Sequence, residues 1–311
     1  MQNSFAPEGC LSGTKENTEF IRSEAGLRLA KETGKILEST AICCDRDLNL
    51  TVALGNIVGI IPKDEAVYTA DGSPVKDIAV ITRVGKPVCF KVKDIISDGG
   101  VGKAILSRAE AQKDCIDGYL SYLLPGDVIP CRVTHTEKFG AFVDVGCGVP
   151  ALLPIDCISV SRISHASDRL RTAMTLRCVV RNIESEPFRM FVTLKELLGS
   201  WEENAAEFSP GQTVRGIVRG TEPYGVFIEL TPNLSGLSEY RDDVCPGDEV
   251  AVYIKNTDER KMKVKLVVVG KLEKSRQSEL RYFTGADVTH IYRWLYSPPY
   301  AEKVVQTVFD G

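Results

Sequence analysis

The sequence predicts a mainly β protein built from three tandem five-stranded barrels, joined by linker helices and followed by a small C-terminal extension. Three observations carry that prediction. The run PGDVIPCRVTHTEKFGAFVDV at 125–145 aligns without gaps to PGQTVRGIVRGTEPYGVFIEL at 210–230, 85 residues further on, with seven of 21 positions identical. Self-similarity over such a span marks a repeated structural unit. Both copies read as strand, polar turn and strand, with β-branched residues in 128–136 and alternation in 142–145, the pattern of half-buried strands. Val-rich strands then follow in each copy, at 175–183 and 190–194 in the first and at 249–254 and 263–269 in the second.

Taken in order, 1–16 reads as a flexible lead-in and 18–33 as a helix stopped by Gly34. The stretch 35–108 repeats the same elements in eroded form, with LNLTVALGNIVGIIPKDE standing against FGAFVDVGCGVPALLPID. Ser107–Glu110 and Thr193–Glu196 both fit the capping-box pattern that opens a helix behind a closing strand. The expected organisation is a lead-in and helix over 1–34, a degenerate barrel over 35–108 and a linker helix over 109–124. A barrel over 125–196, a linker helix over 197–208, a barrel over 209–270 and an extension over 271–311 complete it. In that extension His290, Tyr292, Trp294 and Tyr296 alternate along one strand face, expected to dock on the third barrel. Pro298–Pro299 should then seed a last helix that turns Val304, Val305, Val308 and Phe309 inward. Five short strands in a span of this size, with Gly-rich turns and an insertion between the third and fourth, suggest a barrel of the OB type.

Composition narrows the function. With 43% hydrophobic and 26% charged residues, the chain should fold as a globular protein. No apolar run approaches the roughly 18 residues of a membrane span, and the first residues lack a basic stretch leading into an apolar one. Ten scattered Cys without a C-x-x-C pair read as reduced thiols, with Cys43–Cys44 in a barrel core, and the expected setting is cytoplasmic. A net charge of −4 excludes a protein that coats nucleic acid by bulk charge, so any such site must be a local groove helped by stacking.

Enzyme signals are thin, and a non-enzymatic chain is expected. Ser164, His165 and Asp168 lie close in sequence, but triads assemble in space. The three His have no ligand spacing with Cys, Asp or Glu, and no phosphate-binding glycine loop is present. No metal, no cofactor and no small-molecule substrate are expected.

The pattern of aromatic-Gly-x-Phe, then Gly and an apolar pair, then late Val-rich strands resembles the S1-type RNA-binding domain of bacterial ribosomal protein S1. The likeness covers about 70% of the chain, strongest over 125–196, good over 209–270 and weak over 35–108. Whole-chain order, including WEENAAEFSPGQTV at 201–214, is similar to the shorter S1-like proteins of clostridial-type bacteria. The resemblance implies base-stacking rings at Phe139 and Phe142 in the middle repeat, with Arg189 at the basic position and Glu184 at the acidic one. In the third repeat it implies Tyr224, Phe227, Lys263 and Asp258. The family's His falls on Pro154 and Glu239, and its rings fall on Leu48 and Thr51 in the first repeat, which is therefore expected to be structural or to contact protein. Gly140 is expected to form a bulge that turns both rings to one face. The function implied is binding of single-stranded RNA, mRNA or rRNA, in translation, with the small ribosomal subunit as a partner and the middle barrel as principal site. A protein-docking scaffold, or an accessory RNA-binding subunit of an RNA degradation or transcription complex, is the alternative.

Overall fold

Among the residues described by the structure, a computed structural model covering 5–96, 102–273 and 280–309, the strands close into three barrels. The first holds β1 (Leu37–Cys44), β2 (Leu50–Leu54), β3 (Ile57–Ile61), β4 (Pro87–Ile96) and β5 (Lys103–Ser107). The middle holds β6 (Val128–Glu137), β7 (Gly140–Asp144), β8 (Pro150–Pro154), β9 (Thr175–Ser185) and β10 (Phe188–Thr193). The third holds β11 (Thr213–Glu222), β12 (Gly225–Thr231), β13 (Leu234–Ser238), β14 (Glu249–Asp258) and β15 (Lys263–Lys271). In each, the first three strands form an antiparallel meander, the fifth lies parallel to the third, and the fourth closes the barrel against the first. The first strand of every barrel carries an irregularity in its pairing, at Ala41/Cys43, Val133/His135 and Val218/Gly220. Such a bulge bends the strand enough to turn the corner of a small barrel.

The inward positions are apolar throughout, with Phe90 and Leu50 in the first core, Val133, Val143 and Leu153 in the middle, and Val218, Ile228 and Val252 in the third. Burial of these alternate residues fixes strand register, because a slip by one residue would expose the whole set. No described helix is long and apolar enough to cross a membrane.

Several elements differ from the sequence expectation. The N-terminal helix is two helices, α1 (Lys15–Ile21) and α2 (Glu24–Thr33), because Ser23 caps the second by accepting from Gly26 N. Gly34 ends it in the left-handed conformation, as expected. The segment before α1, expected to be flexible, is packed from Phe5 onward. Phe5 stacks on Tyr119 at 6.1 Å, and the buried Glu8 takes two bonds, of 2.7 and 3.1 Å, from Arg108 at the start of α3 (Arg108–Gly118). Glu8 N also donates to Asp144 of the middle barrel at 2.6 Å, so the segment clamps the first two barrels together. Ionic groups this deep fold only when fully partnered.

The second linker is shorter than expected. Thr193 does not cap it; a brief turn at Lys195–Leu198 is followed by α4 (Trp201–Ala205), whose capping box is Ser200 with Glu203. Trp201, 2% exposed, plugs this linker into the third core. The last helix is absent: β16 (Arg293–Leu295) and β17 (Gln306–Val308) form a hairpin, leaving Val304 and Val308 exposed. Its β-branched run gains more from cross-strand pairing than from a helix. Trp294 and Tyr296 do dock on the third core, while His290 reaches Asp127 of the middle barrel at 2.7 Å and Tyr292 faces solvent. Phe309 packs into the middle core, so residues 280–309 strap two barrels together. Cys43 is exposed and Cys44 only half-buried, outside the core position expected, because the bulge in β1 turns that end outward.

Candidate nucleic-acid interface

In the middle barrel the polar turn between β6 and β7 places Phe139 at its second position and Phe142 on the outer face of β7. The ring centroids lie 6.0 Å apart at an interplanar angle of 85°. Tyr224 and Phe227 repeat the arrangement in the third barrel, at 6.1 Å and 88°. An edge-to-face pair holds each ring while leaving an aromatic face open. Phe139 is 55% exposed and Tyr224 68%.

The glycine between the rings works differently from the expected bulge. Gly140 pairs in register with Glu137, and the rings meet because one sits in the turn and the other on the strand. What the position requires is close backbone approach: a Cβ there would lie 2.3 Å from the Leu153 carbonyl oxygen, and at Gly225 2.4 Å from that of Ser238. Only glycine lets the turn seat against the third strand so tightly.

From each ring-bearing strand a row of outward residues crosses the barrel in matching register. In the middle barrel it runs His135, Phe142, Leu152, Phe191, Asn182. In the third it runs Gly220, Phe227, Leu237, Lys265, Asn256. Arg189 lies on the same face two residues before Phe191, exposed, 4.0 Å from Glu184. Lys263 holds the corresponding place beside Lys265, opposite Asp258. Thus all six residues expected at the two sites are exposed or half-buried on the ring-bearing side of their barrels.

His135 was missed. It stands directly across from Phe142, exposed, with Nε2 2.7 Å from Glu137 Oε1. The bulge at Val133/His135 reverses the alternation of β6, so a parity reading of the sequence conceals it. Pro154, at the family's His position, holds no donor, and Glu239 is exposed at the equivalent end of the third barrel.

Residues 123–195 match the family model described as the S1 RNA binding domain. The middle barrel is an S1 domain. Over a longer stretch the chain is similar to small ribosomal subunit protein bS1 of Rickettsia conorii, 29% identical over 235 residues, which covers 70% of this chain and 40% of that protein. It is also 30% identical over 195 residues to the bS1 homolog of Bacillus cereus, covering 60% of this chain and 48% of the relative. The chain therefore spans less than half the length of these two curated relatives. Among solved structures, a multidomain protein with nucleic acid binding domains from Streptococcus pneumoniae aligns with 75% of this chain and 73% of its own, at 14% identity and a TM-score of 0.25. The S1 domain adjoins two further barrels of the same strand order, and the paired rings recur in the third.

Proposed function

We propose that the protein binds single-stranded RNA, mRNA or rRNA, across its middle and third barrels, and acts in the cytoplasm as a non-enzymatic homologue of ribosomal protein S1. One observation carries the reading: two aromatic pairs, at equivalent positions of duplicated barrels, are held edge-to-face at the surface instead of in a core. Each base presents a π-face, so such rings bind strands with little sequence preference, at about 1–3 kcal/mol per base. Arg189 and Lys263 supply charge beside them. The Ser164–His165–Asp168 cluster supports a binding role over a catalytic one, because it is spent on a turn: His165 Nδ1 accepts from Ser167 N and Asp168 accepts from the Ser164 and His165 amides. The likeness to bS1 proteins supports a setting in translation, with the small ribosomal subunit as partner.

Anisotropy of a labelled single-stranded RNA tests this. Phe139→Ala/Phe142→Ala and Tyr224→Ala/Phe227→Ala should each weaken binding by at least about tenfold while melting as wild type does. Wild-type protein that leaves the RNA free would sink the reading and turn the search to the docking scaffold or to an accessory subunit of a degradation or transcription complex.

A further inference from the structure

The two ring-bearing rows differ at their fourth position. Phe191, a half-buried ring, stands there in the middle barrel, and Lys265, exposed, in the third. Lys263 lies two residues earlier on the same face of β15. Lys255 lies in the bulge of β14 opposite, next to Asn256, the partner of Lys265. All three are exposed, and none joins an ion pair among the described residues. Their middle-barrel counterparts are engaged: Arg189 lies 4.0 Å from Glu184, and Arg181 donates to Cys157 Sγ at 2.8 Å.

Three ammonium groups on neighbouring strands repel one another, an arrangement that disfavours a sheet. The carboxylates near them offset only part of this charge: Asp258 stands opposite Lys263 while also accepting from the Lys261 amide, Glu259 accepts from Tyr300, and Glu239 projects at the far end of β13. Such a row, beginning beside two exposed rings and the 37%-exposed Leu237, has the charge pattern of a surface completed by a polyanion. The order along it is base-binding ring, apolar floor, cations, which matches bases seated at one side and phosphates passing over the other.

Building on the RNA-binding reading, we propose that the third barrel, rather than the middle one, carries the principal RNA contact. The phosphate backbone runs from Tyr224 and Phe227 over Leu237 and along Lys263, Lys265 and Lys255. The middle barrel then contributes mainly stacking, with little phosphate neutralisation. This reverses the ranking implied by the motif match, which weighs the rings and overlooks Lys255 and Lys265.

The distinction is measurable because each released counterion steepens the salt dependence. For a single strand the logarithmic slope is about −0.7 per phosphate contact, so three lysines account for about −2. The probe is a fluorescein-labelled oligouridylate on the whole chain between 50 and 300 mM KCl, concentrations that refer to the assay. Lys255→Gln/Lys263→Gln/Lys265→Gln should flatten the slope by about 2 and weaken binding at least about tenfold at the low-salt end. Arg181→Gln/Arg189→Gln should flatten it by less than 1. These exposed substitutions leave the cores intact, and melting curves confirm that. If wild type binds and the lysine variant keeps its slope, or the arginine variant loses more, the ranking is overturned while RNA binding stands. If wild type does not bind, both fall.

Discussion

The first barrel and the two that follow share strand order and register, yet the same row across them carries different chemistry. In the first it reads Cys43, Thr51, Ile60, Ile105, Asp94, with no ring to stack on a base, and Asp94 is paired to Lys31 at 2.8 Å. The later barrels keep rings at the second position and leave cations unpaired or loosely paired beyond it. Charge is buried instead at its joint with the middle barrel: Glu8 of the N-terminal segment, Arg108 of the linker helix and Asp144 of the middle barrel, all nearly sealed from solvent, weld the two together. The contrast teaches that barrels of one backbone can specialise by what stands on their open face, rings with cations in one case and a closed joint with a neighbour in another.

The joint can be broken without touching the open faces. Arg108→Ala leaves the buried Glu8 with the longer Arg83 contact at 3.7 Å in place of its 2.7 Å ion pair, and removing one partner of a buried pair costs about 3–5 kcal/mol. The expected outcome is a large drop in unfolding midpoint, with RNA affinity of the folded fraction unchanged in anisotropy. The next largest effect lies on the ring side. Gly225→Ala forces a Cβ against the Ser238 carbonyl oxygen, which should destabilise the third barrel by about 2 kcal/mol. It should also separate Tyr224 from Phe227, seen as weaker RNA binding together with altered ring-proton shifts.

Smaller tests sharpen the comparison. Glu239→Gln removes an exposed carboxylate near the third barrel's rings and should strengthen RNA binding about two- to threefold at low salt, an effect that fades as salt screens it. Burial, with the Glu8 carboxylate next, pushes Asp144 up to about 7 against the amide donors that draw it down. Because its native value lies above the unfolded one of about 3.9, the folded state holds the extra proton, and stability falls as pH rises toward 7 and levels off above it. Between pH 6 and 8 the loss should be about 1 kcal/mol by chemical denaturation, and absent in Asp144→Asn.

Much of this was legible in the chain itself. Duplication with aromatic-Gly-x-Phe retained marked both ring pairs, and the resemblance to S1-type domains supplied Lys263. Other features were hidden for physical reasons. His135 follows a bulge that inverts strand parity, and Lys255 occupies another. The clamp formed by Glu8 depends on partners 100 and 136 residues away, and no local pattern records a contact that distant. The first strand of the hairpin at 293–308 was expected, but its second strand was read as part of a helix, because Pro298–Pro299 signals a break equally well before either element.

The strap of residues 280–309 has a consequence for biogenesis. Arg177 of β9 is held by the Thr284, Gly285 and Val288 carbonyls, His290 by Asp127, and Trp294 and Tyr296 by the third core. During synthesis each barrel can close as soon as its own strands emerge. The middle and third barrels also touch directly, through Arg169–Glu229 at 2.7 Å and Val160 N–Asn233 at 3.1 Å, and the strap, which follows both in the chain, adds to that joint. A nascent chain thus displays both ring pairs before the strap can reinforce the face they share.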